Sequence, residues 1–295
     1  MSTPPFLTLP RCARALRVAT ARGEFAALRA EPTGAVRGTA LLVPGFTGSK
    51  EDFIALLEPL AAAGYRVTAV DQRGQYESGG PDDPAAYAVE ALGADVRALS
   101  AALAGDATPL HLLGHSFGGQ VAREAVLAAT AEGPLPWSSL TLMSTGPASI
   151  EPGEAERTKL LIDVLPSMSL EEIWQVLQQM EQQAEQTGGD RARRPSPEVA
   201  AFLHRRWVAN VPQALATTGA HLIAAPDRVD ELAATAPALP ALVLSGVRDY
   251  AWPVPEQTRM AERLGARRVV IEDAGHSPNA ERPAATAEAL LDFWG

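Results

Sequence analysis

The sequence of 295 residues contains a single cysteine, Cys12. One thiol cannot close an internal disulfide, so the chain needs no oxidising compartment. Lysine is nearly absent, and the formal net charge is −10. An acidic surface of that kind repels phosphate backbones and anionic bilayers, so neither nucleic acid nor a membrane is an expected partner. No apolar run approaches the ~20 residues of a membrane span. Prolines interrupt the opening MSTPPFLTLPRCARAL where a secretory leader needs a continuous apolar stretch, which leaves the cytoplasm as the expected location. No Gly-x-Gly-x-x-Gly follows the first strands, which removes support for a dinucleotide site. The segment GFTGSKE (45–51) superficially suggests a phosphate loop. It lacks the glycine directly before Lys50, and Glu51 replaces the hydroxyl residue that would hold magnesium. His, Cys and carboxylates nowhere cluster at metal-ligand spacing, so neither metal nor cofactor is expected.

What is present reads as a globular α/β protein: 46 % of residues are hydrophobic and 20 % charged. Eight short segments carry strand character, at 13–19, 24–30, 38–43, 65–70, 109–113, 139–145, 241–246 and 266–272. The first two flank the turn Ala21-Arg22-Gly23. After that pair, strands alternate with helical segments near 52–63, 87–104, just after Ser116, 255–265 and 283–294. Such alternation without hairpins predicts a mostly parallel sheet with helices on both faces. The pattern breaks after Pro147. Residues 148–235 contain no convincing strand, only four helically spaced stretches starting near Glu154, Ser169, Pro197 and Gln213. Ser169 and Glu172 form a capping box for the second, and 186–197 reads as the loop after it. The expected organisation is an α/β core (1–146 and 236–295) interrupted by a helical cap (147–235).

The strongest chemical signal is Gly114-His115-Ser116-Phe117-Gly118, placed between a strand and a helix. It fits Gly-x-Ser-x-Gly, in which a serine sits on a tight strand-to-helix turn with its hydroxyl clear of the sheet. Glycines two residues either side remove side chains that would collide. A serine at its free pKa is a poor nucleophile and needs a base. Of five histidines, His111 lies inside a strand, His115 should point away from Ser116, and His204 and His221 fall in the helical insertion. His276 follows the last strand at the sheet's carboxyl edge, where open α/β sheets bind ligands. Its orienting carboxylate is assigned to Asp249, after strand 241–246. Glu272 and Asp273 stand too close in sequence to His276 to orient it easily, and STGPAS after strand 139–145 offers no acid.

These residues resemble the α/β-hydrolase superfamily over almost the whole chain, in the order nucleophile Ser116, acid Asp249, histidine His276. The resemblance implies that the Phe46 and Phe117 N–H groups form an oxyanion hole, Phe46 following Pro44-Gly45. It also implies that Asp71-Gln72-Arg73-Gly74 with Ser78 shapes a loop. Trp174, Trp207 and Trp252 are candidate substrate contacts. The activity implied is cofactor-free cleavage of a small-molecule carboxylic ester through an acyl-enzyme. Thioesterase, lactonase, carbon–carbon hydrolase and haloperoxidase chemistry stay open, because fold does not dictate reaction. A non-catalytic receptor on the same fold is the alternative from another class.

Overall fold

A computed structural model describes residues 2–104, 108–186 and 195–295. Its centre is an eight-stranded sheet: β1 (Ala13–Thr20), β2 (Gly23–Ala30), β3 (Gly38–Val43), β4 (Tyr65–Val70), β5 (Leu110–His115), β6 (Ser139–Met143), β7 (Ala241–Gly246) and β8 (Arg267–Ile271). The spatial order is β1-β2-β4-β3-β5-β6-β7-β8. β2 runs antiparallel to both its neighbours, and every pair from β4 to β8 is parallel.

Alternation along each strand explains the layers. Leu41 and Val43 of β3, Leu112 of β5 and Val243 of β7 face one apolar cluster, while Leu42, Leu113 and Leu244 face the other. Both faces of these strands are therefore dry, which accounts for their continuous apolar runs. Helices α1 (Ile54–Ala62), α2 (Val89–Leu103) and α3 (Phe117–Thr130) follow β3, β4 and β5. α2 and α3 pack on the first cluster and α1 on the second. Between β6 and β7 lie α4 (Pro152–Val164), α5 (Leu170–Gln186), α6 (Pro197–Val208), α7 (Pro212–Ala224) and α8 (Val229–Thr235). α9 (Val254–Leu264) follows β7, and α10 (Pro278–Glu281) and α11 (Pro283–Trp294) close the chain, with α11 on the α1 side.

Element ends differ from the sequence reading for identifiable reasons. The helix expected near 52–63 begins as a 3-10 turn over Lys50–Phe53 before α1. β6 stops at Met143, because Ser144 turns the chain with φ 48°. α6 stops at Val208: the Asn210 amide donates to the carbonyls of Arg206 and Trp207 (2.9 and 3.0 Å), satisfying two end groups that a longer helix would have used. The short helix α8 is not separable in the sequence from the loop before β7. It packs Val229 and Leu232 into the same cluster as Met260 of α9. The Ser169–Glu172 capping box forms, with Glu172 N–H donating to Ser169 Oγ (3.2 Å) and the Ser169 N–H to the Glu172 carboxylate (2.8 Å). Of the expected loop 186–197, residues 187–194 lie outside the described residues.

One buried ion pair joins α6 to the edge of the sheet. Arg206 Nη1 donates to Asp52 Oδ1 at 2.6 Å, and both side chains are fully buried. Arg206 Nη2 donates to the Ser2 carbonyl (2.8 Å), and the Asn279 amide reaches the Asp52 carbonyl (2.7 Å). Burial pushes the Asp52 carboxyl up, and the Arg206 guanidinium opposes that shift.

Candidate active site

Ser116 occupies the turn from β5 into α3, with φ 55° and ψ −125°. A non-glycine residue holds such a backbone only where the surroundings over-determine it. Here the Ser116 N–H donates to the Met143 carbonyl (2.8 Å), and the Ser116 carbonyl accepts from Gly119 N–H (2.9 Å). The flanking glycines are steric necessities. A Cβ at Gly114 would lie 2.2 Å from the Gly118 carbonyl oxygen, and one at Gly118 would lie 2.4 Å from the Val43 and Pro44 oxygens.

The structure brings Ser116, His276 and Asp249 together from three separate loops. His276 Nε2 is 2.9 Å from Ser116 Oγ, and His276 Nδ1 is 2.8 Å from Asp249 Oδ1. An ionised carboxylate only accepts, so Nδ1 carries the proton and Nε2 presents a lone pair to the serine hydroxyl. Asp249 is held ionised against its environment. Burial alone would raise its pKa, but the His276 bond and the N–H groups of Ala251 and Trp252 pull it below the usual carboxylate range. The rivals Glu272 and Asp273 take no part in this contact; Asp273 is exposed and pairs with Arg282 at 3.1 Å. The His276 loop is braced by Glu281, whose carboxylate accepts from the N–H groups of Gly275 and Ser277 (2.6 and 2.9 Å).

His115 does more than point away from Ser116. Its Nε2 lies 2.8 Å from the His276 carbonyl oxygen. Burial drives its pKa down to about 3, so the ring is neutral and Nε2 carries the proton that this bond requires. The residue before the serine thus fixes the backbone of the histidine 161 positions later. His111 Nδ1 lies 2.8 Å from Ser139 Oγ, with its ring stacked on Trp294, as suits a packed strand residue. His204 pairs with Glu171 on the outside, and His221 sits edge-on to Phe117.

Gly45 lets the loop after β3 approach the serine: a Cβ there would stand 2.8 Å from Ser116 Cβ. That loop is held by two glutamines from the 71–78 segment. Gln72 donates to the Pro44 carbonyl and Gln75 to the Gly45 carbonyl, both at 2.8 Å. Among the described residues, neither the Phe46 nor the Phe117 N–H donates to another protein group. The rest of the segment is structural. Asp71 pairs with the buried Lys50 at 3.0 Å, Arg73 with Asp95 at 2.7 Å, and Ser78 Oγ donates to the Asp71 carbonyl. The apparent phosphate-loop lysine is thus buried among carboxylates.

A cavity of about 290 Å³ opens over Ser116 and His276. Gly45, Phe46 and Thr47 form one wall, Tyr250 and Ala251 another, and Ile150, Leu161, Leu177, Trp207 and Leu222 the apolar remainder. Glu154 and Arg157, paired with each other, also line it, as do Ser2 and Asp52. Of the three candidate tryptophans, only Trp207 reaches this cavity. Trp174 packs against Trp207 in the same apolar cluster, outside the cavity lining. Trp252 is fully buried, with its ring stacked 6.3 Å from His276 and its Nε1 donating to the Ala148 carbonyl (3.0 Å). A Trp252 contact with substrate is therefore corrected to packing beneath the site. Ile150, Leu161, Leu222 and Tyr250 were not legible as wall residues. Nothing local distinguishes an apolar side chain facing a cavity from one facing a core.

Among the described residues, no group of three or more His, Cys, Asp or Glu could hold a metal ion, and no helix is long and apolar enough to cross a membrane. A hydrolase from Pseudomonas aeruginosa PA01 shares the fold, at TM-score 0.72 and 25 % identity over 96 % of this chain and 98 % of that one. A thermophilic esterase from Thermogutta terrifontis aligns at TM-score 0.70 and 24 % identity, over 95 % of this chain and 97 % of the other. The enol-lactonase from Burkholderia xenovorans LB400 aligns at TM-score 0.70 and 21 % identity, over 94 % and 99 %. No curated protein matches the sequence. The model of the alpha/beta hydrolase family matches residues 40–289, and with the eight-stranded, mostly parallel sheet this establishes that the chain belongs to the alpha/beta hydrolase family.

Proposed function

We propose that the protein is a serine hydrolase that cleaves carboxylic esters through an acyl-enzyme. The observation that carries this reading is the unbroken relay at the cavity floor: Ser116 Oγ to His276 Nε2 at 2.9 Å, and His276 Nδ1 to Asp249 Oδ1 at 2.8 Å. Ser116 Oγ attacks the ester carbonyl carbon while its proton passes to Nε2. The carbonyl oxygen becomes an oxyanion, stabilised by the Phe46 and Phe117 N–H groups and by the positive end of α3. The tetrahedral adduct collapses, and the imidazolium gives its proton to the departing alcohol. Water then attacks the acyl-enzyme, with Nε2 as base, and releases the acid and the free serine. Asp249 holds the tautomer and stabilises the imidazolium in both halves. In this reading residues 147–235 are a cap over a core of 1–146 and 236–295, and Trp207 with the cavity's apolar wall contacts the substrate.

The test combines a fluorophosphonate probe with a panel of nitrophenyl esters, thioesters and lactones. The expected result is labelling at Ser116 and ester turnover that falls by about 10⁴-fold or more in Ser116→Ala, with the circular dichroism of the native fold retained. Near-wild-type ester hydrolysis by Ser116→Ala would overturn the assignment. A folded wild-type protein that resists the probe would point to the receptor reading, and a panel won by thioesters or lactones would move the substrate class within the same machinery.

A further inference from the structure

The two oxygens of Asp249 are occupied unequally. Oδ1 takes three donors: His276 Nδ1 (2.8 Å), Ala251 N–H (2.9 Å) and Trp252 N–H (3.3 Å). Oδ2 takes one, the side-chain amide nitrogen of Gln257 at 2.9 Å. Gln257 is fully buried near the start of α9, and the same nitrogen donates to the Trp252 carbonyl, also at 2.9 Å. Two acceptors face that nitrogen, so the amide can point only one way: reversed, it would set Oε1 against a carboxylate and a carbonyl oxygen. The orientation leaves Oε1 buried without a protein partner among the described residues.

We infer that Gln257 is a positioning residue for the acid of the relay. This rests on the reading of Asp249 as that acid. The amide locks the carboxylate plane through Oδ2 and ties it to the backbone at Trp252, so that Oδ1 is presented to His276 in one orientation. Its neutrality matters as much as its donors. A lysine or arginine at this place would satisfy Oδ2 equally well but would compete with the imidazolium for the carboxylate's charge. A neutral amide orients Asp249 and leaves the full negative charge for His276. Gln257 does not line the cavity, and its side-chain amide donates to Asp249 Oδ2 and the Trp252 carbonyl, so it bears on the relay through Asp249 and its Trp252 anchor.

A double-mutant cycle on the full chain tests this, with kcat and KM read on the best nitrophenyl ester. Gln257→Met keeps the side chain's length and removes both donors. The expected result is a 10–100-fold loss in kcat with KM within about twofold, and no further loss when the same change is made in Asp249→Ala. Wild-type kcat in Gln257→Met overturns the inference while leaving the relay intact. An equal loss in both backgrounds also overturns it, because a purely structural defect would not depend on Asp249. Near-wild-type kcat in Asp249→Ala defeats the relay reading itself, and the inference falls with it. If Gln257→Met does not fold, Gln257→Glu replaces it. The introduced carboxyl keeps an O–H donor while protonated and opposes Asp249 once ionised. Its activity is then expected to fall on the alkaline side of the profile where the wild type stays flat. An alkaline limb superimposable on the wild type overturns the inference.

Discussion

Replacing Arg206 by methionine isolates the interaction that ties α6 to the sheet edge. The change keeps most of the apolar stem and removes the charge opposite Asp52, which is fully buried. Two charge-assisted bonds are lost, to Asp52 Oδ1 and to the Ser2 carbonyl. Breaking a buried pair from one side costs about 3–5 kcal/mol, because the partner is left charged and buried. Protonation caps that cost. Asp52 can take a proton at a free-energy price set by the distance between the working pH and its ordinary value of 3.8. At about 1.36 kcal/mol per unit, the cap is about 5 kcal/mol at pH 7.5 and about 2 kcal/mol at pH 5.5. The expected destabilisation of Arg206→Met is therefore about 3–5 kcal/mol at pH 7.5, shrinking to about 2 kcal/mol at pH 5.5. The sign follows from linkage: the variant's folded state binds a proton that the unfolded chain at the same pH releases, so acid favours the variant's fold relative to the wild type's. Urea unfolding followed by tryptophan fluorescence at both pH values measures it, and Asp52→Asn combined with Arg206→Met should recover most of the loss. A penalty below about 1 kcal/mol at pH 7.5, or one independent of pH, refutes the reasoning.

The histidines of β5 set a second pH dependence. Burial lowers the His111 pKa to about 4, so between pH 6.5 and 4 the unfolded chain takes up a proton that the folded chain refuses, and stability is lost as pH falls. Relative to His111→Phe, the wild type should lose about 2 kcal/mol between pH 7.5 and 5, and parallel stability curves would rule this out. Gly114→Ala forces a Cβ against a backbone oxygen that cannot rotate away, so a loss of about 1–3 kcal/mol together with most ester turnover is expected. Wild-type melting and turnover in that variant would show that the turn has slack.

The sheet and the Ser116 turn were legible because their signals are local. Continuous apolar runs between turn residues mark strands buried on both faces, and Gly114 and Gly118 bracket a turn that admits no side chains. Elimination among the histidines and position at the sheet's carboxyl edge, in an order matching the resembled family, then picked out His276 and Asp249. What stayed hidden depends on pairings across the fold. Asp52 and Arg206 stand 154 positions apart, and each alone reads as an ordinary surface charge. His115 looked like a bystander because its partner, a main-chain carbonyl, leaves no mark in a sequence. Gln257 lies only eight residues beyond Asp249, yet glutamine on a helix ordinarily faces water. The cavity wall was equally silent, and Trp252, singled out for its nearness to Asp249, turns under the site instead.

Among the described residues, four of the five non-glycine residues with positive φ follow strands around the serine: Thr47 after β3, Ser116 after β5, Ser144 after β6 and Asp273 after β8. Each conformation costs about 1–2 kcal/mol relative to a relaxed backbone. The cost is gathered on the one edge of the sheet where the relay is assembled. For anyone seeking a hardier version of this protein, the readiest reserve of stability lies in glycines at 47, 144 or 273. Drawing on it would loosen the very strand ends that aim the relay.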